Sequence, residues 1–113
     1  MMPIEQFRQA AALIEDKILK TPLVNSPALS RMFGGEIYLK LENLQKTGSF
    51  KIRGATFKLL KCMDKIGPGG VVAASAGNHA QGVALAARQL GIPATIVMPE
   101  WVSISKEEAT LMY

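Results

Sequence analysis

The chain contains very few of the residues that build metal sites and cross-links. Its 113 residues include one cysteine, Cys62, and one histidine, His79. A single cysteine excludes a disulfide within the chain and is typical of a protein from a reducing compartment. Zinc is usually held by cysteine and histidine, so a zinc site here would need mainly carboxylate ligands. We therefore expect no metal site.

Aromatic residues are also scarce, at 6% of the chain, and charged residues make up only 19%. Thirteen Lys and Arg against nine Asp and Glu give a net charge of +4, which weakly favours anionic ligands. The basic residues are scattered, whereas nucleic-acid-binding proteins concentrate them on one surface with aromatic side chains that stack on bases. We therefore expect no nucleic-acid partner.

Long apolar runs are absent as well. No run reaches the roughly 18 residues that a membrane-spanning helix needs. The N-terminal region carries Glu5, Glu15 and Asp16 and has no apolar stretch of the kind found in signal peptides. Together with the single cysteine, these absences predict a cytoplasmic protein without a membrane partner.

Hydrophobic residues make up 49% of the chain, which is typical of a globular protein with a buried core. Apolar residues from Ile4 to Ile18 recur at helical spacing, and Thr21-Pro22 is expected to end that helix. The elements predicted next are a short strand, a helical turn, a strand and a helix, at residues 23–24, up to 33, 37–41 and 49–66.

The second half of the chain has the alternating pattern of an α/β protein. Val71 to Ala74 is a continuously apolar run, typical of a strand buried on both faces of a parallel sheet. Ser75-Ala76-Gly77 leads into a helix that ends at Gly91, and Ala94 to Met98 predicts another buried strand. We therefore predict an α/β fold with three parallel strands and flanking helices.

The last segment predicts a helix that has only begun. Ser105 and Glu108 have the Ser-x-x-Glu spacing of a capping box, which marks a helix start, yet the sequence stops at Tyr113. We therefore expect the 113 residues to be part of a longer α/β protein. The alternative is a short helix docked at the C-terminus.

Two turns that lead into helices carry the residues best suited to chemistry. In the first, Thr47 to Ala55, Lys51 falls in the first helical turn if Ser49 is the N-cap. The helix N-terminus disfavours a positive charge, and apolar neighbours such as Phe50 and Ile52 would disfavour it further. A lysine that loses its proton easily is the nucleophile that Schiff-base chemistry needs. The alternative is an ordinary surface lysine.

The second turn, Ser75 to Gly82, follows the C-terminal end of a strand, where ligands bind in open α/β sheets. Backbone N–H groups at the helix start, with Gly77 allowing close approach, would bind an anion. The segment lacks the Lys-Ser/Thr of a P-loop after Gly82. It also lacks a dinucleotide fingerprint, since His79 replaces the second glycine. A capped turn without a ligand is the alternative.

These segments resemble the fold-type II pyridoxal-phosphate enzymes, and among them the threonine/serine dehydratases. The resemblance rests on Glu36 to Ala55, Val71 to Gly82 and Gly91 to Pro99, and it extends from about Thr21 to the end of the chain. It implies a tryptophan-synthase-β-like architecture and pyridoxal 5′-phosphate as cofactor. It also implies an amino-acid substrate and a homo-oligomer.

The resemblance implies a role for each site residue. Lys51 would link covalently to the cofactor and shuttle the α-proton, and Phe50 would pack against the pyridine ring. Asn78 would hydrogen-bond the 3-hydroxyl oxygen of the ring. The substrate carboxylate would be held by Ser75, Gly77, Asn78 and His79. The implied reaction removes the α-proton and β-hydroxyl of L-threonine or L-serine and releases 2-oxobutyrate or pyruvate with ammonia.

Two positions help to choose between branches of this family. Racemases of the group carry a serine at the position of Ala76, which has no proton to exchange, so elimination is favoured over racemisation. Sulfhydrylase-type relatives usually have a threonine where this chain has His79. The alternatives are a related β-replacement enzyme and a non-catalytic fragment or self-associating module. A biosynthetic role in isoleucine formation and a catabolic role both fit these residues.

The resemblance also implies parts that lie outside the 113 residues. In this family the glycine-rich loop that binds the cofactor phosphate comes later, as does the group that contacts the pyridine nitrogen. Residues 1–113 would therefore comprise the start of the enzyme and part of its small domain, without the large domain. We expect the isolated chain neither to retain the cofactor nor to turn over threonine.

Overall fold

Five α-helices and four short strands make up residues 2–113, which are the residues that the computed structural model describes. The helices are α1 (Ile4–Ile14), α2 (Pro27–Phe33), α3 (Lys51–Lys61), α4 (Asn78–Leu90) and α5 (Ile104–Leu111). The strands are β1 (Leu23–Asn25), β2 (Tyr38–Lys40), β3 (Val71–Ala74) and β4 (Ala94–Val97). Each helix in this range is too short or too polar to cross a membrane.

The strands form two separate two-stranded sheets. β3 and β4 pair in parallel, with Val71 opposite Ala94 and α4 as the connection between them. β1 and β2 pair antiparallel, and the Ser26 N–H extends this ladder by donating to the Ile37 carbonyl at 2.8 Å. The predicted α/β class with a parallel sheet is confirmed. The expectation of three parallel strands is wrong, because β2 reverses direction to pair with β1.

The core lies between α3, α4 and one face of the parallel sheet. Its centre consists of five buried apolar side chains, Ala55, Leu59, Val83, Ala86 and Ala87. Val71 and Ile96 of the sheet pack on this cluster, whereas Val72 points to the other face and is 72% exposed. The expectation that β3 is buried on both faces is therefore wrong, because within residues 2–113 the helices cover one face.

The first helix is shorter than its apolar periodicity predicts. α1 ends at Ile14, which is buried, whereas Ile4 and Phe7 are exposed. Tertiary hydrogen bonds take backbone groups that a longer helix would need. The Gln45 side chain accepts the Leu19 N–H at 2.9 Å and donates to the Leu19 carbonyl at 2.8 Å. These bonds hold the segment after α1 in a non-helical conformation.

The last helix begins earlier than the capping box at Ser105 predicts. α5 starts at Ile104, because the Ser103 carbonyl accepts the N–H groups of Lys106 and Glu107, at 2.9 and 3.2 Å. Ser105 therefore lies inside the first turn, and its hydroxyl is 3.3 Å from that of Ser103. The capping-box position is wrong, although a helix does form here.

Candidate active site

Lys51 is the first residue of α3, and its side chain is exposed. The preceding loop fixes its backbone, since the Lys51 N–H donates to the Ser49 hydroxyl at 3.4 Å and both Ser49 and Thr47 are buried. The hydroxyl of Ser49 therefore satisfies an N–H group of the first turn, which is the role predicted for it. The base of the Lys51 side chain lies within the positive partial charge of the helix start.

The amine of Lys51 lies against an aromatic ring. Its Nζ is 5.4 Å from the ring centroid of Phe50, whose side chain is 59% exposed. A cation at this distance from a ring face is attracted by the ring quadrupole. Ile52 is fully buried in the protein interior instead. The expectation that Phe50 and Ile52 bury the amine is therefore wrong for the described residues.

The second predicted turn leads from β3 into α4 and has an ordered backbone. The Ser75 N–H donates to the Val97 carbonyl at 3.0 Å, which joins the turn to the end of β4. The Ser75 hydroxyl accepts the Gly77 N–H at 3.3 Å. Asn78 and His79 begin α4 with exposed side chains. Because N–H groups in a first helical turn have no partner within the helix, this start suits an anion.

A close contact between α3 and α4 holds the two turns together. A Cβ atom built on Gly82, one helical turn after Asn78, would lie 3.0 Å from Lys51 C and 3.3 Å from Lys51 Cβ. These distances are shorter than the 3.4–4 Å of ordinary van der Waals contact, so a larger residue would have to displace a helix. The lysine and the anion-binding turn therefore lie at the adjacent starts of two packed helices.

A polar cluster next to this loop is not evident from the sequence. Arg53 donates from Nε and Nη2 to the two carboxylate oxygens of Glu42, at 2.8 and 2.7 Å. The Thr21 hydroxyl donates to the same carboxylate, and Arg53 Nη2 also donates to the Leu19 carbonyl at 3.3 Å. We call these four groups the Glu42–Arg53 clamp. The only sequence signal for it is the opposite charge of two residues on either side of the loop.

The clamp is strongly ionised. Hydrogen bonding to Arg53, with a smaller contribution from Thr21, lowers the pKa of Glu42 from its ordinary value of 4.5 to about 2. Burial opposes this shift but is the weaker effect. The same pairing raises the pKa of Arg53. Both partners therefore carry full charge throughout the neutral pH range.

The exposed donors at the two turns fit a ligand with an aldehyde, an aromatic ring and anionic groups. Lys51 supplies an amine, Phe50 a ring face, and the start of α4 supplies N–H donors. A Cβ atom built on Gly77 would meet no atom within 4 Å, so space is open beside this turn. These residues fit the pyridine aldehyde that the sequence resemblance implies.

A cavity of about 670 Å³ lies elsewhere, between α4, β4 and α5. Its lining includes Arg88, Met98, Glu107 and Tyr113, and it includes none of the six predicted site residues. In the part of the chain that the structure describes, no group of three His, Cys, Asp or Glu side chains could hold a metal ion. The candidate site is therefore the open region at the starts of α3 and α4.

Known proteins resemble the chain in both sequence and structure. The family described as pyridoxal-phosphate dependent enzyme matches residues 14–113. An L-threonine ammonia-lyase from Thermotoga maritima is 56% identical over 106 residues, which are 94% of this chain and 26% of that protein. The chain thus spans about a quarter of the length of this curated relative.

Two solved structures have the same fold. A pyridoxal 5′-phosphate-dependent aspartate racemase matches with a TM-score of 0.90 and 37% identity, over 99% of this chain and 36% of that chain. A bacterial-type threonine deaminase, from the source abbreviated T.th., matches with a TM-score of 0.80 and 41% identity, over 99% of this chain and 35% of that chain. These matches confirm the predicted resemblance and architecture. The chain belongs to the family of pyridoxal-phosphate dependent enzymes, with pyridoxal 5′-phosphate as the cofactor.

Proposed function

We propose that the protein containing this chain deaminates L-threonine or L-serine by β-elimination, releasing 2-oxobutyrate or pyruvate and ammonia. The observation that carries the proposal is the contact of Gly82 with Lys51, which places an amine beside an anion-binding helix start. The identity of 56% to a threonine ammonia-lyase supports this choice of reaction within the family.

In this proposal Lys51 binds the cofactor through Nζ and moves the proton at the α-carbon of the substrate. When bound, the cofactor withdraws electrons from that carbon. The Phe50 ring, 5.4 Å from Nζ, orients the cofactor ring, and Asn78 hydrogen-bonds the ring hydroxyl oxygen. The substrate carboxylate is held at the start of α4, where N–H donors favour an anion, by Ser75, Gly77, Asn78 and His79.

Racemisation is the second candidate, because an aspartate racemase shares the fold with a TM-score of 0.90. A racemase of this type needs a second acid/base opposite the lysine. The residue before Gly77 is Ala76, which is half-buried in the turn between β3 and α4. Its methyl group has no proton to exchange, so the chain favours elimination.

We also propose that residues 1–113 form the start of the enzyme and part of its small domain. The cofactor phosphate would then be bound by a glycine-rich loop elsewhere in the protein, which would act in the cytoplasm as a homo-oligomer. Val72 and Val97 are 72% and 53% exposed, and exposed apolar surface of this kind supports packing against further protein. The same surface fits the alternative, a self-associating module without activity.

The proposal is tested with the protein from the complete reading frame, supplied with pyridoxal phosphate. We expect keto acid from L-threonine or L-serine and no D-isomer. Loss of a catalytic proton-transfer group should make Lys51→Ala slower by about 10²–10⁴-fold. Lys58→Ala, which alters another exposed lysine of α3, is the matched control and should retain the wild-type rate.

The assay also separates the alternatives. Cysteine formation from an activated serine, without keto acid, would identify a β-replacement enzyme. Conversion of L-serine or L-aspartate to the D-isomer would identify a racemase. A folded protein with none of these reactions would support the non-catalytic module.

A further inference from the structure

We propose that the Glu42–Arg53 clamp is a positioning device for Lys51. It fixes the loop between Gln45 and Phe50 together with the first turn of α3, and thereby sets where the Lys51 amine can reach. The inference rests on the role proposed above for Lys51. It assigns to Arg53 and Glu42 a function that requires no contact with the substrate.

Arg53 is poorly placed to act on reacting atoms directly. It lies two residues after Lys51 on α3, and two residues correspond to a rotation of roughly 200° around an α-helix. The two side chains therefore leave the helix on nearly opposite sides. The guanidinium of Arg53 donates to Glu42, eleven positions earlier. This pair joins the residue before the loop to the helix after it.

The segment from Leu19 to Thr21 anchors both ends of the loop. The Leu19 carbonyl accepts from the Gln45 side chain at 2.8 Å and from Arg53 Nη2 at 3.3 Å. Thr21 is 4% exposed, and its hydroxyl donates to Glu42. One short stretch of backbone therefore ties the loop start and the first turn of α3 into a single unit.

The chemistry of the pair suits a rigid constraint. A guanidinium and a carboxylate joined by two parallel hydrogen bonds fix distance and orientation together, whereas a lysine acts as a point charge. The side chains of Arg53 and Glu42 are 31% and 16% exposed, so solvent screens the pair only in part. Because the pKa of Glu42 is about 2, its carboxylate stays charged at every pH where the enzyme would operate.

Small displacements at this position have large consequences. A misplacement of about 1 Å between reacting groups can cost on the order of a hundredfold in rate. The Lys51 side chain is exposed, so its amine is aimed mainly by the backbone that carries it. Loosening that backbone should therefore lower the rate of the chemical step more than substrate affinity.

The test compares Arg53→Met, Arg53→Lys and wild type in the complete protein loaded with pyridoxal phosphate. Arg53→Lys keeps the charge and most of the stem but cannot form the two parallel bonds, so it serves if Arg53→Met fails to fold. Arg8→Lys and Arg8→Met are matched controls. Arg8 also pairs with a glutamate, but their side chains are 70% and 63% exposed.

Three readouts apply to every folded variant. They are the separate changes in kcat and KM, the pH midpoint of the visible band of the Lys51-linked cofactor, and amide hydrogen exchange over residues 46–51. A role confined to global stability would leave the pH midpoint and kcat unchanged in protein that is fully folded.

We expect Arg53→Lys to lower kcat by about tenfold, with KM changed by less than about threefold. It should also shift the pH midpoint of the band and accelerate exchange at residues 46–51, whereas both Arg8 variants behave as wild type. A folded Arg53→Lys protein with wild-type kcat, midpoint and exchange would overturn the inference. If the wild type releases no keto acid, the proposed reaction fails, and the clamp is judged on the band and the exchange rates.

Discussion

At the scale of single residues, Gly82 is the position where the candidate site tolerates least change. A Cβ atom there would lie 3.0 Å from Lys51 C and 3.1 Å from Ile52 N, and both are backbone atoms that cannot rotate away. Gly82→Ala must therefore push α3 from α4. We expect a loss of about 1–3 kcal/mol in the free energy of unfolding, measured by urea denaturation, and a lower keto-acid rate.

Gly54 provides the matched control for this prediction. It lies on the same helix as Lys51, and a Cβ atom built on it would meet nothing within 4 Å. Alanine is favoured over glycine inside a helix by about 0.5–1 kcal/mol. Gly54→Ala should therefore stabilise the protein and leave the rate unchanged. Equal stability changes for the two variants would show that the contact with Lys51 does not constrain Gly82.

At the scale of elements, the Glu42–Arg53 clamp links the loop after β2 to α3, and its strength should depend on pH. The folded-state pKa of Glu42, about 2, lies below its ordinary value of 4.5. The unfolded chain therefore binds a proton more readily, so the stabilisation is complete above about pH 4.5 and is lost as the pH falls through 2. We expect Glu42→Gln to lose about 2 kcal/mol at neutral pH.

The measurement is a series of denaturant titrations from pH 7 downwards. Wild type should lose stability below pH 4.5 more steeply than Glu42→Gln, because the variant has no carboxylate to protonate at this position. Glu5→Gln removes the carboxylate of an exposed pair on α1 and should follow wild type. Parallel curves for wild type and Glu42→Gln would contradict the role of this carboxylate in stability.

At the scale of the whole molecule, the features that the sequence predicts correctly are local ones. The Ser49 hydroxyl beside Lys51, the turn from β3 into α4 and the helix end at Gly91 depend on neighbouring residues. Contacts between distant residues are not visible in the sequence, because hydrophobic periodicity does not say which elements pair. The Gln45 bonds to Leu19, 26 positions away, therefore shorten α1 against its own pattern.

The predicted site residues divide in the same way. The long motifs around Lys51 and Asn78 identify the residues, because each motif is contiguous in sequence. Their mutual placement depends on Gly82, whose contact with Lys51 joins two helices and leaves no periodic signal. Burial of Lys51 was expected from its neighbours in sequence, but Ile52 packs inward and leaves the amine exposed.

The same exposure leads to a prediction for the 113-residue chain by itself. Its described residues offer an amine, one ring face and the start of α4, whereas the relative from T. maritima is about four times as long. An exposed amine with one ring beside it must compete with water for the aldehyde, and burial that would exclude water is small here. We therefore expect the purified chain, mixed with pyridoxal phosphate and desalted, to show no visible cofactor band, whereas the complete protein retains one. A band that survives desalting of the isolated chain and disappears in Lys51→Ala would show instead that the starts of α3 and α4 suffice to hold the cofactor.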